Sequence, residues 1–428
     1  MSKKLFVLLS GRAIGRVAQD DRGKLSFTYD EAWRDIRGAY PLSLSMPLAA
    51  LEHRHDAISS YIWGLLPDNE RVLDRWAKKF QVSARNPFAL IANVGEDCAG
   101  AVQFVRPERL DATLGSDPGD VAWLDQAEIA ARIRQLREDH SAWRLPGDAG
   151  QFSLAGAQPK TALILQDSRW GVPSGRVPTT HILKPPSAAF DGFAENEHFC
   201  LALARALGLP VASSTVMRFG NEVVFVVERY DRQATDGGVL RIHQEDMCQA
   251  LAVPPTRKYE NEGGPGVAKI VGLLREHSQA PGDDVQTFVD AVALNWLIGG
   301  TDAHAKNFSI LIGAAGRIRL APLYDVASIL PYNDFDPMRA KLAMKLGGKY
   351  RLRDISARSW EKLADELEMA RDAVSQRVLF MAEALPAAAN GVRRHMREVG
   401  MAHAIVDRLV DCLSDEAAKC AKLLTQLQ

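Results

Sequence analysis

The stretch Gly299-Gly300-Thr301-Asp302-Ala303-His304-Ala305-Lys306-Asn307 is a short polar loop between two apolar segments. An apolar run with helical spacing covers residues 288–298, and a strand-like apolar run covers residues 308–312. A loop held between two buried elements can present its side chains from a rigid scaffold. An asparagine follows an aspartate five residues later in this loop, and a second aspartate, Asp325, lies downstream.

The spacing of Asp302, Asn307 and Asp325 is typical of a phosphoryl-transfer site. A kinase catalytic loop places a base aspartate and a metal-binding asparagine at this separation, with a further aspartate downstream for Mg²⁺. A carboxylate accepts the proton of the attacking hydroxyl, and hard oxygen ligands hold Mg²⁺ against the phosphates. A polar turn with a capping aspartate would have the same spacing, so the interpretation depends on the segments upstream.

Two upstream segments contain groups that could bind phosphates. Small residues in the stretch 155–160 (Ala155, Gly156, Ala157, Gln158, Pro159, Lys160) let backbone N–H groups approach an anion. The stretch is not a Walker A loop, and a hairpin turn is the alternative interpretation. Lys184 ends an apolar strand, where a kinase lysine reaches the α- and β-phosphates, although a strand-end lysine with a solvated ammonium would look the same.

With two further segments, the candidate site segments follow one another along the chain in the same order as in a kinase. Glu195 or Glu197, at the start of a predicted helix, could pair with Lys184 or simply favour the helix N-terminus. Residues 227–232, which include Glu228, Arg229 and Tyr230, could connect two lobes and bind an adenine edge through backbone groups. A charged strand end is the alternative there. The segment 243–246 is polar at a predicted helix start, where capping is favoured over chemistry.

Composition indicates a soluble globular protein with large cores. The chain has 428 residues, 47% of them apolar and 25% charged, with 52 Lys and Arg against 53 Asp and Glu. This balance gives no global basic field for nucleic acid. Five cysteines without paired spacing fit a reducing cytoplasm, and no apolar run of about 18 residues predicts a membrane span. The apolar run after the N-terminus is too short for a signal peptide.

Periodicity predicts a β-rich first half followed by a helix-rich second half, which is an α+β arrangement with two lobes. We predict three domains: residues 1–108 as a small mixed unit, 109–242 as an N-terminal lobe and 243–428 as a helical C-terminal lobe. Individual predictions include an edge strand over 40–48, strands over 152–166 and 179–183, and helices over 68–82, 122–138, 243–252, 265–277, 283–298, 355–369, 371–384 and 401–427.

Taken together, these motifs resemble the HipA-type toxin kinases of bacterial type II toxin–antitoxin systems. The likeness spans nearly the whole chain, and its more specific parts are residues 153–163 and 301–309. Other matching stretches are 42–48, 63–69, 181–184, 227–232, 244–250, 258–266, 322–325 and 341–344.

The resemblance implies a bilobal protein-kinase-like fold and a serine/threonine protein kinase that uses ATP and Mg²⁺. Asp302 matches the catalytic base, and Asn307 and Asp325 match the Mg²⁺ ligands. The implied nucleotide contacts are Ala155, Gly156, Ala157, Gln158, Pro159, Lys160, Lys184, Glu228, Arg229, Tyr230, His304, Lys306, Asn307, Tyr324 and Asp325. Pro159 stands where a polar, often acidic, residue is expected.

Ser153 matches a serine that such kinases phosphorylate on themselves. A phosphate carries about −1.5 to −2 charge, so it would repel the phosphates of ATP. The resemblance therefore predicts self-inactivation by phosphorylation at Ser153.

The resemblance also implies partners. These are a HipB-like antitoxin, which is a helix-turn-helix dimer, operator DNA bound through that complex, and an aminoacyl-tRNA synthetase as substrate, most often the glutamyl enzyme. The basic cluster 393–397 could touch DNA phosphates, although a solvated helix face is favoured. Two other functions stay open: a catalytically silent kinase fold that serves as corepressor, and a small-molecule or lipid kinase. The joint presence of Lys184, Asp302, Asn307 and Asp325 argues against the first.

Overall fold

The structure is a computed structural model, which describes residues 3–115, 119–145, 148, 152–187, 190–336 and 338–425. The chain folds into two compact units, each built from segments that are distant in sequence. The first unit comprises residues 1–185, 217–256 and 309–318, and the second comprises 186–216, 257–308 and 319–428. These units divide the chain differently from the three predicted domains.

The strands and helices of the described residues are numbered in chain order. The strands are β1 (Lys3–Leu9), β2 (Arg12–Gln19), β3 (Leu25–Tyr29), β4 (Glu52–His53), β5 (Val102–Val105), β6 (Val121–Leu124), β7 (Thr161–Gln166), β8 (Arg169–Pro173), β9 (His181–Lys184), β10 (Ser214–Phe219), β11 (Glu222–Glu228), β12 (Arg232–Thr235), β13 (Gly238–Arg241), β14 (His243–Asp246), β15 (Ser309–Gly313), β16 (Arg317–Leu320), β17 (Lys341–Leu346) and β18 (Lys349–Arg351). The helices are α1 (Glu31–Arg34), α2 (His55–Leu65), α3 (Glu70–Phe80), α4 (Pro87–Val94), α5 (Leu110–Leu114), α6 (Gln126–Glu138), α7 (Phe193–Ala206), α8 (Met247–Ala250), α9 (Val267–His277), α10 (Pro281–Leu297), α11 (Ala357–Glu366), α12 (Arg371–Glu398) and α13 (Ala404–Thr425).

Two sheets organise the first unit. An antiparallel sheet in the order β4-β3-β2-β1-β5 packs with α2, α3 and α4 around a core that includes Phe27, Tyr61 and Phe104. A second sheet has the order β10-β11-β9-β7-β8-β6 and shares a smaller core with α6, through Ile129 and Ile133. The strand β10 crosses from the second unit into the first at residue 217.

Helices form most of the second unit. The rings of Trp296 in α10 and Trp360 in α11 lie 5.5 Å apart and join these helices. Phe288 of α10 meets Phe308, which directly precedes β15, edge to face at 4.9 Å. The predicted helices over 265–277, 283–298, 355–369 and 371–384 are confirmed as α9 to α12. The helix predicted over 401–427 is confirmed as α13 over Ala404–Thr425, and residues 426 and 427 lie outside the described part of the chain. Helix α12 extends beyond its predicted end and continues through Pro386 to Glu398. Among the described helices, none is both long enough and apolar enough to span a bilayer.

Residues 40–48 do not form the predicted edge strand. Ser43 and Met46 close a tight turn through an isolated bridge. The Tyr29 hydroxyl donates to the Met46 carbonyl at 2.6 Å and accepts from the Leu42 N–H at 2.8 Å. The alternating pattern therefore reflects two buried side chains, Leu42 and Met46, on a turn between two prolines.

Two predicted helices begin later than expected, because capping boxes start them. Residues 121–124 form β6, and α6 begins after Asp125, which exchanges hydrogen bonds with Glu128. Residues 243–246 form β14 against β15 rather than a helical turn. Asp246 then caps the short helix α8 through Gln249, so the predicted capping in this segment is confirmed at Asp246.

The predicted strand over 152–166 is restricted to β7. Residues 152–160 form a loop, because Gly156 has a φ of +99° and Pro159 has no N–H for a ladder. The strand predicted over 179–183 is β9, and the helix predicted over 68–82 is α3, which Asn69 caps.

Candidate active site

Two glycines shape the entry to the loop 299–307. Gly299 has a φ of +64°, which a side chain would strain. A Cβ at Gly300 would lie 2.2 Å from the side-chain oxygen of Asn295, so no larger residue fits there. The Gly300 N–H donates to the Asn295 carbonyl at 2.7 Å. The chain therefore turns sharply out of α10 into the polar loop.

The loop fixes Asn307 relative to Asp302. The Asn307 side-chain N–H donates to the Asp302 carbonyl at 2.8 Å, and the His304 N–H donates to the same carbonyl at 2.8 Å. The Asp302 side chain is exposed, whereas Asn307 is buried. Because its nitrogen is engaged, the Asn307 amide presents its oxygen as the atom that can ligate a cation.

Tyr259 reaches this loop from a neighbouring turn. Its hydroxyl donates to Oδ1 of Asp302, and its ring meets the His304 ring edge to face at 5.0 Å. The Lys258 carbonyl accepts from the Ala305 N–H at 3.3 Å. No role for Tyr259 is predicted from the sequence. The sequence signal that could have pointed to Tyr259 is its position in the stretch 258–266, which matches the family.

The segment with Tyr324 and Asp325 is joined to the same loop. The Tyr324 hydroxyl donates to the Lys306 carbonyl at 2.7 Å. Asp325 has a φ of +58°, in the left-handed region that only a few per cent of non-glycine residues adopt. Such strained backbone is concentrated at functional sites. Hydrogen bonds therefore connect the predicted site residues Asp302, Lys306, Asn307 and Tyr324 within the second unit.

The residues present fit a hard divalent cation. The Asn307 amide oxygen and the Asp325 carboxylate are oxygen donors of the type that Mg²⁺ prefers. Mg²⁺ commonly takes one or two carboxylates from the protein and completes its shell with water and substrate phosphates. The donor set at Asn307 and Asp325 matches that pattern.

The predicted phosphate loop lies in the first unit and closes on itself. The Lys160 ammonium donates to the Ala155 carbonyl at 2.6 Å and lies 5.2 Å from the Trp143 ring centroid. Gly156 has a φ of +99°, which a side chain would strain, and a Cβ there would lie 2.5 Å from this ammonium. Within the loop, Ala157 is exposed, whereas Gln158 and Pro159 are half-buried.

The connection between α2 and α3 holds this loop in place. The Asp68 N–H donates to the Gly156 carbonyl at 3.0 Å, and the Asn69 side chain donates to the Ala157 carbonyl at 3.2 Å. Residues 68 and 69, in the stretch 63–69 that matches the family, therefore hold the loop 155–160 through hydrogen bonds.

Ser153 is fully buried, with 0% of the residue exposed. Its hydroxyl donates to the Leu65 carbonyl at 2.8 Å, and its N–H donates to the Asp97 carbonyl at 2.9 Å. The hydroxyl can therefore accept a phosphoryl group only after the loop leaves this position.

The remaining predicted contacts lie at the ends of β9 and β11. The Lys184 ammonium is 5.5 Å from the Phe225 ring centroid, which favours a cation. Glu228 is exposed, and its backbone lies opposite that of His181 in the antiparallel pair of β9 and β11. Residues 228–230 lie inside the first unit, and the chain next enters the second unit at residue 257. Pairing of Lys184 with a glutamate of α7 stays a prediction.

Arg229 belongs to a buried network of charges within the first unit. Its guanidinium donates to both carboxylate oxygens of Asp231, and Arg232 donates to Asp97 at 2.8 Å. Arg241 contacts Asp97 at 3.4 Å. Burial opposes ionisation of Asp97, but the three guanidinium groups outweigh it and hold its pKa below the ordinary value. The Arg229 side chain therefore stabilises the fold, and its partner Asp97 was not predicted from the sequence.

The basic cluster 393–397 is partly neutralised. Arg393 lies 3.7 Å from the Asp407 carboxylate, and Arg397 also contacts that carboxylate. These ion pairs join α12 to α13, which favours the interpretation of a solvated helix face.

The loop carries an aspartate and an asparagine five residues later, and it binds the segment that contains a second aspartate. This arrangement is typical of the catalytic part of kinase-like phosphotransferases. Comparisons with known proteins specify the family. The sequence profile of the HipA N-terminal domain matches residues 5–105, and that of the HipA-like C-terminal domain matches residues 152–389.

Whole-chain relatives agree. The serine/threonine-protein kinase toxin HipA of Shewanella oneidensis is 30% identical over 374 residues, which cover 84% of this chain and 82% of that protein. The protein Y4mE of Sinorhizobium fredii is 38% identical over 416 residues, or 96% and 97% of the two chains. A solved structure of the Shewanella oneidensis HipA, HipB and operator DNA complex matches with a TM-score of 0.84 and 26% identity, covering 99% of each chain.

This chain therefore belongs to the HipA family of serine/threonine kinase toxins. The predicted α+β, kinase-like fold is confirmed, and so is the predicted family.

Proposed function

We propose that the chain transfers the γ-phosphoryl group of ATP to a serine or threonine of a protein, as the toxin of a type II toxin–antitoxin pair. The observation that carries the proposal is the exposed Asp302 carboxylate on a loop that also fixes Asn307 and binds the segment of Asp325. The Shewanella oneidensis relative is named as a toxin with this activity, which supports the proposal.

Asp302 acts as the general base in this reaction. Its carboxylate accepts the proton of the substrate hydroxyl as that oxygen bonds to the γ-phosphorus, and ADP leaves with the electron pair of the broken P–O bond. The backbone N–H groups of residues 155–158 and 160, with the Lys160 and Lys184 ammonium groups, bind the phosphates. Asn307 and Asp325 hold Mg²⁺, which neutralises charge on the phosphates when bound.

We propose further that Ser153 is an autophosphorylation site whose modification inactivates the kinase. Its buried hydroxyl bonds to Leu65 in the closed loop. A phosphate cannot fit in that position, because it would bring about −1.5 to −2 charge into a site without space for three oxygens. The modified loop would stay displaced and could not bind ATP.

The proposed partners follow from the family. They are a HipB-like antitoxin, operator DNA bound through the antitoxin, and an aminoacyl-tRNA synthetase in the cytoplasm as substrate, with the glutamyl enzyme as first choice. The Shewanella oneidensis relative in complex with HipB and operator DNA supports the first two.

Labelled ATP tests the proposed activity directly. Purified chain, alone and with glutamyl-tRNA synthetase, is compared with Asp302→Ala and with Asp283→Ala, an exposed α10 control. We expect Asp302→Ala to lose about 10²- to 10⁴-fold in rate and keep ATP binding, whereas Asp283→Ala matches the wild type. Free serine and sugars as acceptors test the small-molecule alternative.

Intact mass shows whether the wild-type preparation already carries phosphate at Ser153. A wild type that is unmodified, binds ATP and labels no acceptor would contradict the proposed activity. That result would favour a catalytically silent corepressor.

A further inference from the structure

We infer that Tyr259 is a positioning residue for the base: its hydroxyl holds the Asp302 carboxylate in the orientation that receives the substrate proton. This inference rests on the proposed function, because it assigns a role within that reaction. It also accounts for the stretch 258–266, to which the proposed function gives no task.

Tyr259 contacts the loop at its two chemically important positions. The hydroxyl donates to Oδ1 of Asp302, and the ring packs against His304 with a centroid separation of 5.0 Å and an interplanar angle of 84°. The adjacent Lys258 carbonyl accepts from the Ala305 N–H at 3.3 Å. The turn and the loop are therefore joined by backbone, ring and hydroxyl.

The local backbone is built to hold Tyr259 in this place. The Tyr259 carbonyl accepts from the N–H groups of Glu262 and Gly264, at 3.0 and 2.9 Å. Gly263 has a φ of +91°, and a Cβ at Gly264 would lie 2.3 Å from the Arg257 carbonyl oxygen. Both glycines are thus required by the turn that carries Tyr259.

Glu260 anchors the same turn to β17. Its carboxylate accepts from the Lys345 N–H at 2.7 Å and lies 3.4 Å from the Lys345 ammonium. A Cβ at Gly266 would lie 2.4 Å from this carboxylate, so a third glycine makes room for the anchor. The stretch 258–266 therefore supports Tyr259 through hydrogen bonds within the turn and through contacts with β17.

Tyr259 donates its hydrogen bond to an exposed carboxylate, that of Asp302. A hydrogen bond to one oxygen selects one orientation before the substrate arrives, which is the source of preorganisation. An ionised carboxylate has about four acceptor positions, so one bond from Tyr259 is compatible with a second from the substrate hydroxyl. Loss of the Tyr259 hydroxyl should therefore slow the chemical step without weakening ATP binding.

The test is Tyr259→Phe, which keeps the ring against His304 and removes only the hydroxyl. Rates of transfer from ATP are measured to glutamyl-tRNA synthetase and to Ser153 of the chain itself. We expect kcat to fall roughly 10- to 100-fold while KM for ATP stays within about twofold. Tyr350→Phe is the matched control, because Tyr350 lies in β18 beside the Glu260 anchor and should retain the wild-type kcat.

The double variant with Asp302→Ala separates positioning from a structural role. Without the carboxylate there is nothing to orient, so Tyr259→Phe should cause no further loss in that background. Two outcomes would overturn the positioning role and leave the proposed function standing. One is an equal loss of rate in both backgrounds. The other is a wild-type kcat in Tyr259→Phe together with an inactive Asp302→Ala. A wild type that labels neither acceptor would overturn both. Thermal unfolding of Tyr259→Phe checks that the fold is unchanged.

Discussion

Glu245 is a carboxyl group in a place where charge is costly. It is 1% exposed, and one of its oxygens accepts from the Leu44 N–H at 2.8 Å. Burial raises its pKa to about 8, and the hydrogen bond from Leu44 only partly opposes this. Tyr61, fully buried nearby, also has a raised pKa through burial and then through the charge of Glu245. Glu245 therefore makes the stability of the fold depend on pH, although it belongs to no predicted site.

We expect the contribution of Glu245 to the free energy of unfolding to fall as pH rises. The ordinary glutamate pKa is 4.5, so between about pH 5 and 8 the folded chain binds more protons than the unfolded chain. The contribution of Glu245 is complete below the unfolded pKa and is lost as pH rises through about 8, at up to ~1.4 kcal/mol per pH unit. Glu245→Gln should flatten the decline in the free energy of unfolding, measured by urea titration between pH 6 and 9.

Glu138→Gln is the control for this measurement, because Glu138 is exposed at the end of α6. It should leave the pH dependence of the unfolding free energy at its wild-type slope. Parallel slopes for Glu245→Gln and the wild type would show that the pKa of Glu245 is not raised in the folded protein.

At the scale of elements, α7 holds the segment that follows Asp325. The Asn196 side chain donates to the Ser328 carbonyl at 2.7 Å and accepts from the Ser328 N–H at 3.1 Å. Asn196 is 0% exposed, and Tyr332 contacts the same amide. A helix is thereby coupled to the strained backbone at Asp325 by two hydrogen bonds to one residue.

Asn196→Ala should loosen this coupling. It leaves a buried N–H and a buried carbonyl of Ser328 without their partner, at a cost of about 1–3 kcal/mol for each group. We expect Mg²⁺-dependent ATP binding, measured by calorimetry, to weaken more than ATP binding in the absence of Mg²⁺. The control is Asn390→Ala, whose side chain forms hydrogen bonds with Pro386 and Arg393 of the same helix, α12. Equal weakening with and without Mg²⁺ would argue against a link to Asp325.

The success of element predictions depended on where the determining contacts lie. The helices α9 to α13 were predictable, because apolar spacing and the helix itself occupy the same stretch of chain. Residues 243–246 were predicted as helix, yet they form β14, because their partner β15 lies more than 60 residues later. Residues 40–48 were predicted as a strand because alternation also describes a turn with two buried side chains.

At the scale of the whole chain, the buried charges join sequence-distant parts of the first unit. Asp97 follows α4, whereas Arg229, Arg232 and Arg241 lie around β12 and β13. The side chains of Arg229 and Arg232 are each 2% exposed, and Asp97 is 8% exposed. The network also satisfies the Cys98 and Gly100 carbonyls. It thereby fixes the N-terminal sheet to the strands that carry Lys184 and Glu228.

Asp97→Asn should strongly destabilise the first unit. Removal of one partner leaves buried guanidinium groups without compensation, which typically costs about 3–5 kcal/mol. Chemical denaturation should show a large fall in the midpoint of the transition that reports on this unit. Asp365→Asn, which breaks an exposed pair with Arg371, should leave the midpoint unchanged. A small effect of Asp97→Asn would mean that the network adds specificity rather than stability.

By itself, the sequence determined the family and the α+β class, and it predicted the catalytic stretch from Asp302 to Asn307. These depend on residues close together in the chain, where spacing, glycines and capping groups express the chemistry directly. Only the tertiary structure decided that Tyr259 meets Asp302 across 43 residues, that Asn69 holds the phosphate loop across 88, and that Asp97 meets Arg232 across 135. The type of a side chain determines which groups it can bond, but it does not determine where in the chain its partner lies. Burial of apolar surface chooses that partner when it brings distant segments together.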